Sequence, residues 1–444
     1  MRIAVVGAGI TGLGAAYALS QRHEVVLYDR EVRAGGHANT VEVKTPSGGC
    51  AVDTGFIVFN DRNYPHLLKL FERLGVPSRP SEMSFAFTRD GGRFEYAGSP
   101  GGLVAQRSNV LRPRVWVLMR DLFRFYRDAG IFLRNPEPSC SLGDFIRIRG
   151  YAAPFVEQHL LPMAAAIWSA PPAQILAFPA ASFLQFFANH GLLGLHDRPQ
   201  WRTVAGGSRV YVDRLLAALP QTALRLGRSI VRAERGAGGC TLTDEAGHRD
   251  RFDRVVFACH ADVTLAILGR DASPAERSIL GAFRFQANRA VLHSDSSLMP
   301  RRRGVWSSWN FLSSDGDAPD RPVCVSYWMN RLQSLPEELP LFVTLNPVRE
   351  PRADLVHGTW TYEHPIFDGP AVSAQADLPS IQGVGGAWFC GAWCGHGFHE
   401  DGLEAGLAVA AALGSPAPWA REVRNASPAA RIAPASPPLS VAAE

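Results

Sequence analysis

The N-terminal segment carries the pattern that most restricts how this chain can fold. An apolar run at residues 3–6 leads into Gly7-Ala8-Gly9-Ile10-Thr11-Gly12, and a second apolar run at residues 25–28 is followed by Asp29. In a strand–helix–strand unit, Gly7 permits a tight turn, Gly9 lets a pyrophosphate approach the backbone, and Gly12 lets the helix pack on the strand. An acid after the second strand is placed to bind a ribose hydroxyl. The pattern predicts a dinucleotide-binding unit.

Composition narrows the class of protein further. The 444 residues are 46% apolar and 19% charged, which is enough for a large core and excludes a mostly disordered chain. The seven cysteines include no C-x-x-C pair, and no metal-ligand spacing is evident, so we expect neither a disulfide framework nor a metal site. Scattered cysteines and the absence of a signal-peptide pattern favour a cytoplasmic location. A net charge of +4 is too weak for nucleic acid but compatible with an anionic membrane surface.

A second glycine motif follows the first acid. The segment Arg33-Ala34-Gly35-Gly36-His37 resembles the R-x-G-G motif of the FAD-dependent flavin amine oxidase and phytoene desaturase superfamily. The resemblance implies that this loop passes along the pyrophosphate and flavin of FAD. Arg33, Gly35 and Gly36 are therefore candidate cofactor-binding residues, because their backbone amides and charge suit phosphate. For Arg33, a solvated surface position is an equally good interpretation.

The resemblance continues near the C-terminal end. The segments 388–395 and 401–406 resemble the second flavin motif, in which a strand ends on the cofactor and a helix N-terminus points at it. This similarity implies that Gly391, Leu403 and Glu404 contact FAD. Ala392 stands where most members of the superfamily have an acid, so Glu404 or the backbone must serve instead.

Two further blocks are similar to a narrower group. The segments 189–193 and 397–402 resemble a bacterial subfamily described as predicted NAD/FAD-binding proteins, and the likeness extends over roughly residues 1–415. Members tend to accompany methyltransferases of the cyclopropane-fatty-acid synthase type. The resemblance thus implies work on methylated or unsaturated acyl chains, as in furan-fatty-acid pathways.

These motifs predict an α/β fold, with a Rossmann-like FAD-binding domain and an inserted α+β substrate domain. We assign residues 1–60, 201–268 and 384–414 to the FAD-binding domain, and residues 61–200 and 269–383 to the substrate domain. The first insert has mainly helical patterns, whereas Val323–Trp328 and Leu341–Leu345 predict strands in the second. Residues 415–444 are rich in Pro, Ala and Ser, which predicts a disordered tail.

The lysine content bears on the reaction. Amine oxidases of this superfamily commonly have a lysine near the flavin on a substrate-domain strand. This chain contains only Lys44 and Lys69, and Arg289 stands at the corresponding position. The missing lysine argues against amine oxidation, and the resemblance to the bacterial subfamily implies hydride transfer from a carbon chain to FAD, with desaturation of a fatty acyl group of a membrane lipid. Amine oxidation and a non-redox flavin-binding protein are the alternatives.

Three ionisable residues are candidates for proton transfer. His396, His399 and Glu400 lie in a glycine-rich turn before the helix expected to point at the flavin, and an imidazole there suits a general base. His399 and Glu400 are equally suited to bracing the turn. The apolar stretch Ile175–Leu195 either lines an acyl tunnel or forms core.

A basic amphipathic segment allows two interpretations. The stretch Val110–Leu133 alternates arginine with aromatic and aliphatic residues. It predicts either peripheral binding to an anionic membrane or an ordinary packed helix with a solvated face. The pattern indicates no oligomeric state.

Overall fold

The computed structural model describes residues 1–426 except 47, 197, 220–223, 237 and 314–321. In chain order the strands are β1 (Arg2–Val6), β2 (Glu24–Asp29), β3 (Thr40–Thr45), β4 (Gly48–Asp53), β5 (Phe59–Asn60), β6 (Ser78–Pro80), β7 (Phe85–Arg89), β8 (Phe94–Ala97), β9 (Trp201–Val204), β10 (Leu224–Leu226), β11 (Ile230–Gly236), β12 (Gly239–Asp244), β13 (Arg249–Phe252), β14 (Arg254–Phe257), β15 (Arg284–His293), β16 (Trp309–Ser313), β17 (Val325–Trp328), β18 (Phe342–Leu345), β19 (Val356–Ile366) and β20 (Ala387–Phe389).

The helices range in length from three residues in α6 to twenty in α4. In chain order they are α1 (Ile10–Leu19), α2 (Pro65–Leu74), α3 (Pro100–Val104), α4 (Pro113–Phe132), α5 (Leu142–Arg149), α6 (Ala153–Phe155), α7 (Leu161–Trp168), α8 (Pro172–Leu176), α9 (Ala180–Asn189), α10 (Arg209–Ala217), α11 (Ala261–Leu268), α12 (Pro274–Gly281), α13 (Met329–Leu332), α14 (Gly369–Asp377), α15 (His399–Ala412) and α16 (Ala420–Ala426).

A five-stranded parallel sheet holds the N-terminal motif. Its strand order is β10-β2-β1-β14-β20, and β1 lies at the centre. Ile3 and Val5 pack into one hydrophobic core, whereas Ala4 and Val6 pack into the core on the other face. A strand covered on both faces needs apolar residues at every position, which explains the unbroken apolar run. The carboxyl ends of β1, β14 and β20 meet at one edge, where open α/β sheets bind their ligands.

A larger mixed sheet and a group of helices form two further hydrophobic cores. A seven-stranded mixed sheet, in the order β19-β15-β18-β17-β16-β7-β8, packs around its own core. The helices α4–α9 enclose a further aromatic core. The strands expected over Val323–Trp328 and Leu341–Leu345 are present as β17 and β18.

Asp53, at the end of β4, joins three distant parts of the chain. Its buried carboxyl group accepts hydrogen bonds from the Thr40 hydroxyl (2.6 Å), from the Ser208 amide (2.8 Å) and hydroxyl (2.7 Å), and from the Gln333 side chain (2.8 Å). Gln333 also accepts from the Asp53 amide at 2.8 Å. Ser208 starts the chain into α10 and Gln333 follows α13, so one carboxyl group holds both predicted domains together.

The predicted domain boundaries do not match the cores at three places. Helix α2 packs with the core that covers one face of the parallel sheet. Helices α12 and α14 pack with the core on its other face, beside β14. These three helices were assigned to the substrate domain, but their apolar faces are buried against the parallel sheet.

The predicted tail is wrong for residues 415–426. Trp419 is 1% exposed and stacks on Tyr17 with ring centroids 6.1 Å apart. Its indole N–H donates to His66 Nδ1 at 3.2 Å, and α16 follows it. Burial of a large aromatic side chain outweighs the Pro- and Ala-rich composition around it. Residues 427–444 lie outside the described residues.

The long apolar stretch Ile175–Leu195 is divided between α8 and α9, with Pro179 preceding the second helix. In the described part of the chain, no helix combines the length and apolar character needed to cross a bilayer.

Candidate active site

The two glycine motifs lie side by side at the carboxyl edge of the parallel sheet. The Gly35 amide donates to the Ala8 carbonyl at 2.8 Å, and Gly9 forms a parallel bridge with Gly35. A Cβ on Gly36 would lie only 3.2 Å from the Gly9 Cα. The predicted phosphate loops are therefore one continuous surface of backbone.

The glycines within this surface serve different purposes. A Cβ on Gly12 would lie 1.7 Å from the Gly7 carbonyl oxygen, so Gly12 is required by protein packing alone. A Cβ on Gly9 would meet nothing within 4 Å. Gly9 precedes α1, whose first intrahelical bond is from the Leu13 amide, so the first-turn amides have no acceptor within the helix. Open space next to free amides and a positive helix end suits a phosphate.

Asp29 and Arg33 both brace this surface. One Asp29 carboxylate oxygen accepts from the Ala8 amide at 2.6 Å and the other from the Glu31 amide at 2.9 Å. The Arg33 guanidinium donates to the carbonyls of Ala34, Ala38 and Gly36 at 2.9–3.2 Å. Arg33 is thus an exposed residue whose guanidinium is directed at the loop, where it fixes the carbonyls and adds positive charge.

The C-terminal motif completes the carboxyl edge of the parallel sheet, but packing excludes one of its predicted side-chain contacts with the cofactor. Gly391 follows β20, and its Cβ would collide with the Trp393 indole. The side chain of Leu403 is fully buried against Gly14 of α1, so a contact from this side chain to a cofactor is ruled out by packing. Glu404 is exposed on α15, yet desolvation and the nearby Asp401 charge raise the pKa of its carboxyl group.

A group of imidazoles lies between the R-x-G-G loop and β19. The His37 ring centroid is 5.0 Å from that of Tyr362 and 5.4 Å from that of His364. His260, after β14, stacks on Phe285 at 4.1 Å. Burial lowers the pKa of His364 to about 4 and, together with the neighbouring imidazole of His364, lowers that of His37 well below its usual range. The His37 Nε2 atom is buried without a hydrogen-bond partner among the described residues.

Glu400 braces the start of helix α2. Its two carboxyl oxygens accept from the amides of His66 (2.6 Å) and Leu67 (3.0 Å) in the first turn of α2. Burial raises the pKa of Glu400 to about 8, against the opposing effect of these two amides. The geometry therefore favours the bracing interpretation of Glu400 because both oxygens anchor α2, and its catalytic role stays a prediction.

Replacing Glu400 is expected to change stability rather than chemistry. In Glu400→Ala, the amides of His66 and Leu67 lose their acceptors in a buried position, which costs about 3 kcal/mol in total. Denaturant unfolding of the FAD-loaded protein measures this loss. The rate of flavin reduction per bound FAD should stay within twofold of wild type, and a loss of reduction at full FAD occupancy would restore a catalytic role.

His399 and His396 lie in different surroundings. The His399 ring stacks on Phe56 at 3.7 Å, and its Nε2 lies 2.8 Å from the Tyr211 hydroxyl. Burial lowers the pKa of His399 to about 3, which makes it a weak base. His396 instead lines an apolar cavity together with Trp168, Phe183 and Phe367. Of the three predicted catalytic residues, His396 is the one placed beside a cavity.

Arg289 is not directed at the flavin region as expected. Its guanidinium pairs with Glu350 at 2.6 Å, and both side chains are largely exposed. The preceding residue, Asn288, is fully buried and hydrogen-bonds to His364 Nδ1 at 3.1 Å. Alternate residues of a strand face opposite sides, so Asn288 occupies the inward position of β15.

Three residues in the region of His37 were not predicted as site residues: Asn288, Tyr362 and His364. Tyr362 and His364 are two residues apart on β19, and Asn288 pairs with Tyr362 in the register of β15 and β19. For Tyr362 and His364, the available signal was the alternation of side-chain types along residues 356–366, which is typical of a strand. No local pattern marks the pairing of the two strands.

Residues 10–414 match the family model described as flavin containing amine oxidoreductase. The chain belongs to this family. The family consists of flavin-containing oxidoreductases, which confirms the predicted FAD cofactor and, at the level of the family, the predicted enzyme class.

Individual relatives of this flavoprotein are distant. It is 26% identical over 261 residues to AofH of Mycobacterium tuberculosis, a protein assigned as a flavin-containing monoamine oxidase. The match covers 56% of this chain and 54% of AofH, so the chain spans about half the length of the curated relatives it matches. A cyclohexylamine oxidase of Brevibacterium oxydans has the same fold, with a TM-score of 0.66, 16% identity, and coverage of 93% of this chain and 99% of that chain. A fatty acid isomerase of P. acnes aligns with a TM-score of 0.64 and 15% identity, over 93% of this chain and 98% of that chain.

The residues at the carboxyl edge fit FAD. Open space at Gly9, the first-turn amides of α1 and the adjacent loop at Gly35 and Gly36 suit the pyrophosphate. Asp29 lies at the end of β2, next to this loop, where a ribose hydroxyl is expected. The unpartnered nitrogen of buried His37 is a polar atom of the kind that a bound ligand satisfies.

Proposed function

We propose that this flavoprotein oxidises an apolar carbon chain and introduces a double bond into a fatty acyl group. The observation that carries the proposal is the cavity beside His396. Aromatic rings of Trp168, Phe178, Phe183 and Phe367 line it together with the polar side chains of Ser182 and Gln375, and the turn of the C-terminal flavin motif closes one side. The cavity volume is about 30 Å³, so an acyl chain enters only when these side chains move apart. Mainly apolar walls favour a hydrocarbon chain over a charged amine, because no carboxylate is among the lining residues to pair with an ammonium group.

The position of the lysines supports the same substrate class. Lys69 pairs with Glu72 and Glu422 on the outside of α2, and Lys44 lies on β3. Neither is on β15, where the inward position belongs to Asn288. An amine oxidase mechanism that depends on a lysine on this strand therefore has no candidate in this sequence.

The fold itself accommodates lipid substrates elsewhere. The fatty acid isomerase of P. acnes shares this fold at 15% identity, as does the cyclohexylamine oxidase at 16%. These likenesses leave both substrate classes open, and the cavity lining favours the acyl chain.

The proposed reaction removes two electrons and two hydrogens from adjacent carbons. Bound FAD supplies a hydride acceptor. The apolar walls exclude water and hold the chain, and His396 is the ionisable residue among those lining the cavity. We assign it the proton that leaves with the second hydrogen, so that one hydride and one proton depart as the C=C bond forms.

Anaerobic flavin bleaching tests this proposal. We expect phospholipids with methylated or monounsaturated chains, in mixed micelles, to bleach the visible flavin absorption, whereas simple primary amines leave it unchanged. In Ser182→Phe, a ring would fill the cavity and slow bleaching at least tenfold with FAD content unchanged. Ser380→Phe, at an exposed position, is the matched control. Bleaching by amines without any response to lipid would assign amine oxidation instead.

A further inference from the structure

Exposed apolar side chains are concentrated in one segment of the chain. Of the twelve large apolar residues exposed among the described residues, seven lie between residues 104 and 148. They are Val104, Val110, Leu111, Trp116, Phe123, Ile131 and Ile148. Scattered exposure is ordinary for a folded protein, whereas clustering of this kind marks an interaction surface.

The outer face of α4 organises this surface. Trp116, Phe123 and Ile131 are 59%, 51% and 43% exposed and recur at spacings of two turns. Arg120 and Arg127 lie between them on the same face, which extends about 22 Å at 1.5 Å per residue. The opposite face is buried in the aromatic core. We call the outer face, from Trp116 to Arg134, the α4 stripe.

The aromatic residues of the stripe can enter an apolar environment without leaving a polar atom unpaired. The Trp116 indole N–H donates to the Val110 carbonyl at 2.9 Å, so its one polar atom already has a partner. This bond also fixes the ring beside the exposed loop at Val110 and Leu111. Phe123 is held edge-on to Tyr126 at 6.3 Å. The rings are therefore ordered on the surface before any partner binds.

The charge around the stripe has one sign. Residues 104–149 contain nine arginines and four acids, a net charge of +5, whereas the whole chain carries +4. Two of the four acids, Asp121 and Asp128, are buried beneath the helix, where Arg120, Arg124 and Arg127 pair with them. The field outside this surface is therefore positive.

We propose that the α4 stripe docks on an anionic lipid bilayer, with α4 parallel to the membrane plane. Apolar rings interleaved with arginine match a boundary at which acyl chains meet negatively charged headgroups. A second copy of this chain is a poorer occupant, because a two-fold interface would bring two surfaces of the same positive charge together. This proposal stands on the surface alone and does not depend on the substrate class.

Vesicle flotation of the FAD-loaded protein tests the docking surface. We expect binding to vesicles of equimolar phosphatidylcholine and phosphatidylglycerol, and none to phosphatidylcholine alone. An arginine near an anionic surface contributes about fivefold in affinity, so Arg120→Gln, Arg127→Gln and Arg134→Gln together should weaken binding about 100-fold. Raising the ionic strength from about 0.1 M to about 1 M should have a similar effect, because the screening length falls from about 10 Å to 3 Å.

A second variant tests the apolar part of the stripe. Trp116→Ala, Phe123→Ala and Ile131→Ala together should weaken binding at least tenfold, while FAD content and thermal midpoint show that the fold is kept. Val32→Ala, Val231→Ala and Val384→Ala, exposed apolar positions elsewhere, are the matched control and should bind as wild type. Unchanged binding of the stripe variant, equal binding to neutral vesicles, or a dimer that the stripe variant makes monomeric would each overturn the proposal.

Discussion

Gly9→Val is expected to yield a folded protein without FAD. The Gly9 backbone, at φ −75° and ψ −177°, is extended, which a β-branched residue adopts readily. A Cβ at this position meets no protein atom within 4 Å. The added methyl groups would instead fill the space beside the first-turn amides of α1, where the pyrophosphate must lie.

The affinity for FAD should fall at least about 100-fold, which corresponds to about 2.7 kcal/mol. Flavin released on denaturation measures the loss, and far-ultraviolet circular dichroism shows whether the fold is kept. Gly130→Val is the matched control, because a Cβ there also meets nothing within 4 Å, on the exposed side of α4. Full FAD content in Gly9→Val would contradict the assignment of this loop to the pyrophosphate.

Asp53→Ala is expected to cause the largest loss of stability. The carboxyl group accepts bonds from Thr40, Ser208 and Gln333, and its removal leaves several buried donors unsatisfied. The combined cost is about 5 kcal/mol, comparable with the whole stability of many domains. Urea unfolding at saturating FAD measures it. Asp213→Ala, on the exposed side of α10, should change stability by less than about 0.5 kcal/mol.

The same group makes stability depend on pH. Burial raises the pKa of Asp53 from 3.8 to about 6, against the hydrogen bonds from Thr40 and Ser208. Because the native pKa exceeds the unfolded value, the native state retains a proton that the unfolded chain has lost, and this contribution disappears as the pH rises from about 4 to about 6. The loss amounts to about 3 kcal/mol, at 1.36 kcal/mol per pKa unit. In Asp53→Asn this part of the pH dependence should be absent; an unchanged profile would contradict it.

Local patterns predicted the cofactor-binding fold well because their causes are local. The glycines at 7 and 12 are required by contacts within the strand–turn–helix unit or with the adjacent strand end. The apolar run of β1 reflects two buried faces, and both properties are visible in a short window of sequence. The family match over residues 10–414 confirms the resulting fold and the FAD prediction.

Predictions that depended on distant partners were less successful. Glu400 bonds to His66, 334 residues away, and His399 to Tyr211, 188 residues away. A glycine-rich turn with ionisable residues is typical of an active site, but the partner that occupies each group is set by tertiary packing. Likewise, the apolar residues of α12 and α14 pack into the core beside β14, and no local pattern in these helices indicates which core covers them.

The strand order of the parallel sheet has a consequence for synthesis. The neighbours β1 and β14 pair Ile3 with Arg254, a separation of about 250 residues, which a ribosome adds in about 10–50 s at 5–20 residues per second. Until then, β1 has one unpaired edge of apolar sequence, which is a site for wrong pairing between nascent chains. In this flavoprotein the N-terminal unit therefore acquires its complete cofactor edge only after β14 and β20 have emerged.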